Sequence, residues 1–487
     1  MAGRGAGNAG AARGRRWVAA VALGLLAALL LLDACSSDSE PPGPSRSSAP
    51  VDGPSRTAST AATEGDEAAG PSVVEGTSTD RRYLVDQRGE PLLLLAETLW
   101  DARKKLTLPQ TREHFALRSR QGFNAVLLTP FPWTGAPDDR TTDLAGNHPF
   151  DGDVTHLDEA YWSAFDRVLA TARRDGITVF VAPGGAAPGF EAAGYSYDDA
   201  AARGLGEALG RRYASTPGIV WLFGVDYLPQ DWARYDPQMM AFVEGLRAGG
   251  DRHLVTVQLD NHSVSSDDAT WRPVLGIEAA YTYRPTYRMV LRGYEQDVAP
   301  VMLIESNFEG ENNEGGPPTT DETLRRQAYW TLTSGGTGVA YGSGPVWQMA
   351  PGWQDRRRTP GALQTAQAVS LFRSVDWWRL VPDVDGTFLV SGRGDDTTTG
   401  TLEGGFADVL ESNRATAAIT GDGSLAAVYV PTSRTIGLDL GRLAAGARAQ
   451  WCDPVSGRCK DASLTARMRT PGSNAGGDQD WLLLVRS

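Results

Sequence analysis

Between residues 92 and 341 of this 487-residue chain, eight short apolar runs alternate with longer stretches of helical pattern. The runs cover 92–96, 124–128, 178–182, 219–223, 254–258, 277–281, 301–304 and 338–341. An apolar run without polar alternation suits a strand buried on both faces, as in a parallel sheet, and parallel neighbours need a crossover between them. Helical patterns at 110–121, 159–174, 198–213, 237–247, 287–295, 322–332 and 362–373 supply the crossovers, while the fifth connection, 263–272, is polar and predicts at most a short helix. Eight such units in roughly 300 residues predict an α/β fold, a (β/α)8 TIM barrel over residues 81–380. An open doubly wound sheet would carry a glycine-rich turn after its first strand, and Glu97-Thr98-Leu99-Trp100 is not one.

The flanks differ in character. Residues 1–16 hold four arginines, residues 17–32 are uncharged and mostly apolar, and Leu32-Asp33-Ala34-Cys35 follows. This pattern predicts a lipoprotein-type signal peptide over 1–34, with Cys35 as the lipid-bearing residue, and sixteen apolar residues are short for a membrane span. Residues 35–80 are rich in Ser, Pro, Gly, Ala and Thr and predict a disordered tether, because such a segment buries too little apolar surface to offset its ordering entropy. From 381 to 487 short alternating runs separated by turn residues predict a small antiparallel β-sandwich, with Cys452 and Cys459 flanking a turn as a candidate hairpin disulfide. The expected location is outside the cytoplasm, either as a cell-membrane lipoprotein or secreted.

Several classes are excluded by content. With 46 basic against 59 acidic residues the net charge is −13, which speaks against a nucleic-acid binder. Five histidines with no HxH or HExxH pairing, and only three cysteines, predict no metal site and no cofactor. A monomer is expected.

In a TIM barrel the chemistry sits where strands end at the C-terminal face. The predicted strand ends carry Glu97, Asp226, Asp260-Asn261-His262, Tyr281, Tyr283, Glu305 and Tyr341 but no lysine, which excludes a Schiff-base aldolase. Asp226 and Glu305 close the fourth and seventh strands. Two carboxylates across one mouth are what glycosidic cleavage needs: one protonated to release the leaving oxygen, one ionised to attack or stabilise the sugar cation. Either acid alone would read as a helix cap or ion-pair partner. Their joint placement makes the hydrolytic reading stronger.

The chain also resembles the apiosidase-like glycoside hydrolases (DUF4038 barrels), which commonly carry a small collagen-binding-type β domain at the C-terminus. The matching stretches are Tyr83-Leu84-Val85-Asp86, Glu97-Thr98-Leu99-Trp100, Gly122-Phe123-Asn124, Ile219 through Asp226, Glu305 with Phe308-Glu309-Gly310, Arg325 through Trp330, and Tyr341-Gly342 with Val346-Trp347-Gln348. The resemblance implies Asp226 as general acid/base and Glu305 as nucleophile. Relatives usually read Gly-Asp-Thr where this chain has Ala96-Glu97-Thr98, and Gly-Gly-Asp where it has Gly224-Val225-Asp226. Both departures are expected to reshape the pocket.

Substrate contacts are expected from Glu97, Trp100, Asn124, Trp133, Asn261, His262, Tyr281, Tyr283, Tyr341 and Trp347, aromatic faces stacking on sugar C–H surfaces. Trp353 is placed on the same face, residues 131–156 as a lid, and the acidic loop from Glu309 to Glu314 as a solvated rim without calcium-ligand spacing. The predicted activity is glycosidic cleavage by retaining double displacement, on an oligo- or polysaccharide. The alternative is a non-catalytic glycan-binding lipoprotein on a degenerate barrel.

Overall fold

The computed structural model describes residues 70–131, 142–183, 197–312, 318–395 and 408–487. The predicted signal peptide, Cys35, most of the tether and Trp133 lie outside the described residues.

Eight parallel strands form the barrel: β1 (Leu94–Thr98), β2 (Ala125–Leu128), β3 (Thr178–Val181), β4 (Ile219–Tyr227), β5 (Leu254–Leu259), β6 (Glu278–Tyr281), β7 (Val301–Glu305) and β8 (Gly338–Ser343). Parallel ladders join seven of the eight neighbouring pairs, including β8 to β1. The eighth junction, β5 to β6, is bridged differently. Gly276 N donates to Val255 O at 2.8 Å, and the buried Ser265 hydroxyl donates to Val257 O at 2.6 Å while accepting from Ala279 N at 2.9 Å. A side chain thus replaces a ladder rung. Beside it two residues, Ser263–Val264, pair back antiparallel on β6.

Helices α1 (Leu108–Arg120), α2 (Glu159–Arg174), α3 (Asp199–Tyr213), α4 (Asp236–Ala248), α5 (Tyr287–Gln296), α6 (Asp321–Leu332) and α7 (Pro360–Arg373) surround the barrel. Side chains that stop local competition start several of them: Thr107 and Gln110 form a capping box on α1, and Asp158 and Asp198 accept from the first turns of α2 and α3. The fifth connection holds only a single 3-10 turn, Ser265–Asp267, matching its polar sequence. Inside the barrel Leu94, Ala96, Ala125, Leu127, Phe180, Val220, Leu222, Ala279, Met302, Ile304 and Ala340 pack as one cluster, and their sequence neighbours face the helices. This period-2 alternation decides which side chains reach the cavity.

Ordered chain begins earlier than composition implies. Val74–Thr77, within the segment expected to be a tether, pairs antiparallel with Leu84–Asp86. Val73 and Val74 are fully buried, and Val74 N donates to Thr178 Oγ1 at the start of β3 (2.9 Å). Two adjacent valines suffice to dock the strand beneath the N-terminal ends of the barrel.

Beyond α7, a six-stranded antiparallel sheet takes the order β9 (Leu380–Pro382), β11 (Thr416–Thr420), β12 (Leu425–Val430), β17 (Trp481–Arg486), β14 (Arg448–Cys452), β15 (Cys459–Ala462). A three-stranded sheet of β10 (Leu389–Ser391), β13 (Thr435–Leu438) and β16 (Arg467–Arg469) completes the sandwich, and Cys452 is disulfide-bonded to Cys459 across the β14–β15 hairpin. Helix α6 is the seam between the two parts. The fully buried Arg325 donates to both oxygens of Asp480 at 2.9 Å and to Asp478 at 2.8 Å, Tyr329 stacks on Tyr429 at 5.1 Å, and the Trp330 indole donates to Arg414 O at 2.8 Å. Removing one partner of a buried bidentate pair leaves a charge without compensation and costs roughly 3–5 kcal/mol. Asp480→Asn is therefore expected to lower unfolding free energy in urea by about 3 kcal/mol in one cooperative transition, with barrel and sandwich unfolding together. Two separated transitions, or a change under 1 kcal/mol, would contradict a shared core.

Candidate active site

The mouth of the barrel is built by two breaks in the strand pattern. In β4, Gly224 pairs with Gln258 and Tyr227 with Leu259, so Val225 and Asp226 are looped out of the ladder. Gly224, Val225 and Asp226 all have left-handed backbone, with φ of 81°, 59° and 58°. A β-branched residue there is strained, by roughly 1–2 kcal/mol. Gly224 admits no side chain, since a Cβ would lie 2.4 Å from Gln258 O. In β7, Leu303 pairs with Ala280 and Glu305 with Tyr281, a slip that turns Glu305 inward although Leu303 packs outward. Bulges that re-aim single side chains are a common device beside functional sites.

These two bulges bring Asp226 and Glu305 together. The Gln258 amide nitrogen donates to Glu305 Oε2 at 2.8 Å and lies 3.5 Å from Asp226 Oδ1. Sharing that nitrogen holds these two oxygens no more than about 6.3 Å apart, so both carboxyls meet on one side-chain contact in the mouth. Glu305 Oε1 accepts from Tyr283 OH at 2.9 Å and Tyr281 OH at 3.1 Å, and the two hydroxyls are 2.6 Å apart. Asn307, itself buried, donates to Tyr283 O at 2.7 Å and fixes that residue. Asp226 is open to solvent at the mouth, whereas Glu305 is 7% exposed.

Burial is the largest cause that raises Glu305 above the usual carboxylate range, and the protein packed around the mouth does the same for Asp226 although its side chain still reaches solvent. Repulsion adds to it: the charge on Asp226 acts on Glu305, and that on Asp260 acts on Asp226. Burial alone would place a shared proton on Glu305, the less exposed of the two. Gln258, 2.8 Å from Glu305 against 3.5 Å from Asp226, and a hydrogen from the Tyr281–Tyr283 pair oppose this, because a hydrogen-bond donor favours the ionised acceptor. Asp226 has weaker support from Tyr281 and Gln258. The arrangement keeps one proton between the two carboxyls: burial and repulsion raise Glu305 to about 8 against about 6 for Asp226, while the shorter Gln258 contact pulls the anion toward Glu305.

Other predicted residues divide clearly. Trp100, Tyr281 and Tyr283 share the mouth's apolar cluster with Val225, and Trp347 packs against it. Asn261 is half-buried on the loop after β5, and His262 Nδ1 meets Thr282 Oγ1 at 2.9 Å on that rim. Glu97 does not join them. It lies inside β1, faces outward, and is fully buried against Arg118 (2.9 Å to Nε) and His114 (2.7 Å) on α1. Burial alone would raise its pKa, but the two basic partners outweigh that and bring it to about 2. Tyr341 also faces outward, its hydroxyl donating to Glu309 and its ring 5.8 Å from Phe123. Asn124 sits at the opposite end of the barrel, accepting from Leu95 N and donating to Leu93 O as a clamp between strands. Trp353 packs 5.3 Å from His114. In the acidic loop, Glu309 accepts from Thr359 and Gly361 N at the start of α7, and Glu311 from Trp347 and Gln348 at 3.0 Å each. Those two glutamates are clasps rather than a solvated rim.

Two mouth residues were not anticipated, Gln258 and Asn307. The signal for Gln258 was a single long polar side chain inside an otherwise apolar fifth run. Among the described residues one acidic triplet, Glu322, Asp478 and Asp480, has metal-like proximity, and its members already pair with Arg326 and Arg325.

The family model for the apiosidase-like catalytic domain matches residues 78–379, and the chain belongs to that family. It is by that membership a glycoside hydrolase. Two solved structures share its fold. One described as a glycoside hydrolase has TM-score 0.72 and 20% identity over 86% of this chain and 97% of its own. The other, a glycoside hydrolase family 5 protein from Bacteroides vulgatus, has TM-score 0.72 and 19% identity over 86% and 94%. No curated protein matches the sequence.

The carboxyl pair makes a stability prediction whose sign follows from linkage. Both folded-state pKa values are raised, to about 6 for Asp226 and about 8 for Glu305, so the folded protein binds more protons than the unfolded chain, and stability falls as pH climbs from the ordinary carboxylate range through those values. Glu305→Gln removes one ionisable partner and keeps an acceptor for Gln258. It is expected to melt above the parent at pH 7, by on the order of 1–2 kcal/mol, with the gain vanishing toward pH 4. A gain independent of pH would contradict the coupling. Gly224→Ala must move Gln258 or the bulge and is expected to cost about 3 kcal/mol or more in urea titrations; a change within 0.5 kcal/mol would contradict the close contact.

Proposed function

We propose that the chain hydrolyses a glycosidic bond of an oligo- or polysaccharide with retention of configuration, using Asp226 and Glu305. The observation that carries this reading is the single Gln258 nitrogen within reach of both carboxylates, which gathers the two acids at the mouth of the barrel as a pair that can share one proton. Glu305 attacks the anomeric carbon as the bond to the leaving oxygen breaks, and Asp226 gives its proton to that oxygen. Water then loses a proton to Asp226 and displaces Glu305, restoring both groups. The Tyr281 and Tyr283 hydroxyls hold Glu305 as an oriented anion before attack, and Trp100 and Trp347 offer apolar walls to the sugar.

Export and lipid attachment at Cys35 belong to the same proposal, resting on the basic, apolar and Leu-Asp-Ala-Cys sequence of the N-terminus. Among the described residues no helix is long and apolar enough to cross a membrane. The sandwich acts as a buttress, supported by the buried Arg325–Asp480 pair that ties it to α6.

Screening plant and bacterial cell-wall polysaccharides, with proton NMR of the first product anomer, tests the reading. The expected result is cleavage with the anomeric configuration kept, and a loss of at least about 1,000-fold in kcat for Glu305→Gln and Asp226→Asn with folding preserved. An inverted first product, or variants within tenfold of the parent, would refute the mechanism. Binding without cleavage of any glycan would favour a non-catalytic role.

A further inference from the structure

Gln258 stands out because its arrangement is unfavourable for stability. The side chain is fully buried on β5, and its Oε1 is a buried acceptor with no hydrogen-bond partner among the described residues. An orphaned buried acceptor works against stability, because its lost hydration is not replaced. Rotating the amide would not help, since the oxygen would then face two carboxylate oxygens. The orientation is therefore fixed by its two acidic neighbours, one at 2.8 Å and one at 3.5 Å.

An amide nitrogen can donate but never accept. Every oxygen it faces must present a lone pair. A proton on Glu305 Oε2 would weaken the 2.8 Å contact, the shorter of the two, so the amide favours the anion at Glu305 over that at Asp226. Glu305 Oε1 could be protonated if one tyrosine hydroxyl accepted from it and passed its own hydrogen along the 2.6 Å Tyr281–Tyr283 contact, a reversal open to hydroxyls. On Asp226 the amide faces Oδ1, so only Oδ2 is left to hold a proton. Tyrosine hydroxyls can reverse roles, and the amide cannot. The fixed donor in the cluster is Gln258.

We propose that Gln258 is a positioning residue that places the one proton of the carboxyl pair on Asp226, on Oδ2, the oxygen turned away from the amide. The inference deepens the hydrolytic reading and rests on it: it says how the same fold prepares Asp226 as acid and Glu305 as nucleophile before substrate arrives. The other titratable groups that face the pair are Tyr281 at the end of β6, Tyr283 just after it, and the segment after β5, where Asp260 acts on Asp226 and His262 acts on Asp260. None of them is a donor that cannot reverse.

The test is a carbon-13 NMR titration of side-chain carboxyls in the full folded protein labelled at Asp and Glu, with the two resonances assigned through Asp226→Asn and Glu305→Gln. In the parent, Glu305 is expected to show the ionised shift near neutral pH while Asp226 remains protonated. In Gln258→Met, which keeps volume and removes the amide, Glu305 is expected to take up the proton, its midpoint rising by at least one pH unit. Gln258→His, which can donate from a ring nitrogen, is expected to restore part of the parental order. Circular dichroism and thermal melting check that each variant folds. A Gln258→Met protein that folds with both midpoints unmoved overturns the proposal, as does a parent in which Glu305 holds the proton. If Gln258→Met does not fold, the parent titration alone decides. The readout requires no turnover, so inactivity of the parent on every glycan would count against the hydrolytic reading and leave this result standing separately.

Discussion

Two like charges a few ångströms apart in a poorly hydrated site cannot both persist, and much of the mouth is arranged around that constraint. Water is largely excluded from Glu305, and Asp226 lies near enough to repel it. The protein answers with neutral donors instead of a cation: Tyr281, Tyr283 and Gln258 surround Glu305. An arginine in their place would hold both acids ionised, and the pair would then have no proton to donate. The contrast lies one layer outward, where Glu97 has Arg118 and His114 and is fully committed as an ion. The same residue type thus takes two roles, set by whether its partners carry charge.

The barrel itself was legible in the sequence because parallel strands buried on both faces leave uninterrupted apolar runs, and all eight runs became strands. The sandwich followed from alternation and turn residues. What composition could not reveal was the docking of Val73 and Val74, since two valines in a polar tract give no periodicity.

The site was harder to read, for a reason of parity. Glu97 and Tyr341 follow inward-facing alanines, Ala96 and Ala340, and the strands continue through them, so both side chains point at the helices. Counting strand ends by hydrophobicity placed them in the mouth. Strict alternation would have excluded them, but it would also have excluded Glu305, which reaches the mouth only through the slip after Leu303. Bulges are where the period-2 rule fails, and here they carry both acids. The three consecutive left-handed residues at 224–226 left a partial trace, a glycine before the acid, while Val225 conceals the strain.

Apolar packing positions these parts at a distance. Helix α6 presents Arg325, Tyr329 and Trp330 to the sandwich, while β7 and β8 on the barrel side hold the bulge and the Trp347 wall. The central claim is that Glu305 attacks sugar carbon and Asp226 supplies the proton. Trapping the enzyme with the 2-deoxy-2-fluoro glycosyl fluoride of the sugar it releases, followed by peptide mass spectrometry, addresses that claim most directly. A sugar adduct on the peptide containing Glu305, absent in Glu305→Gln, is the expected result. An adduct on Asp226, or turnover of the natural glycan with no adduct at all, would contradict it.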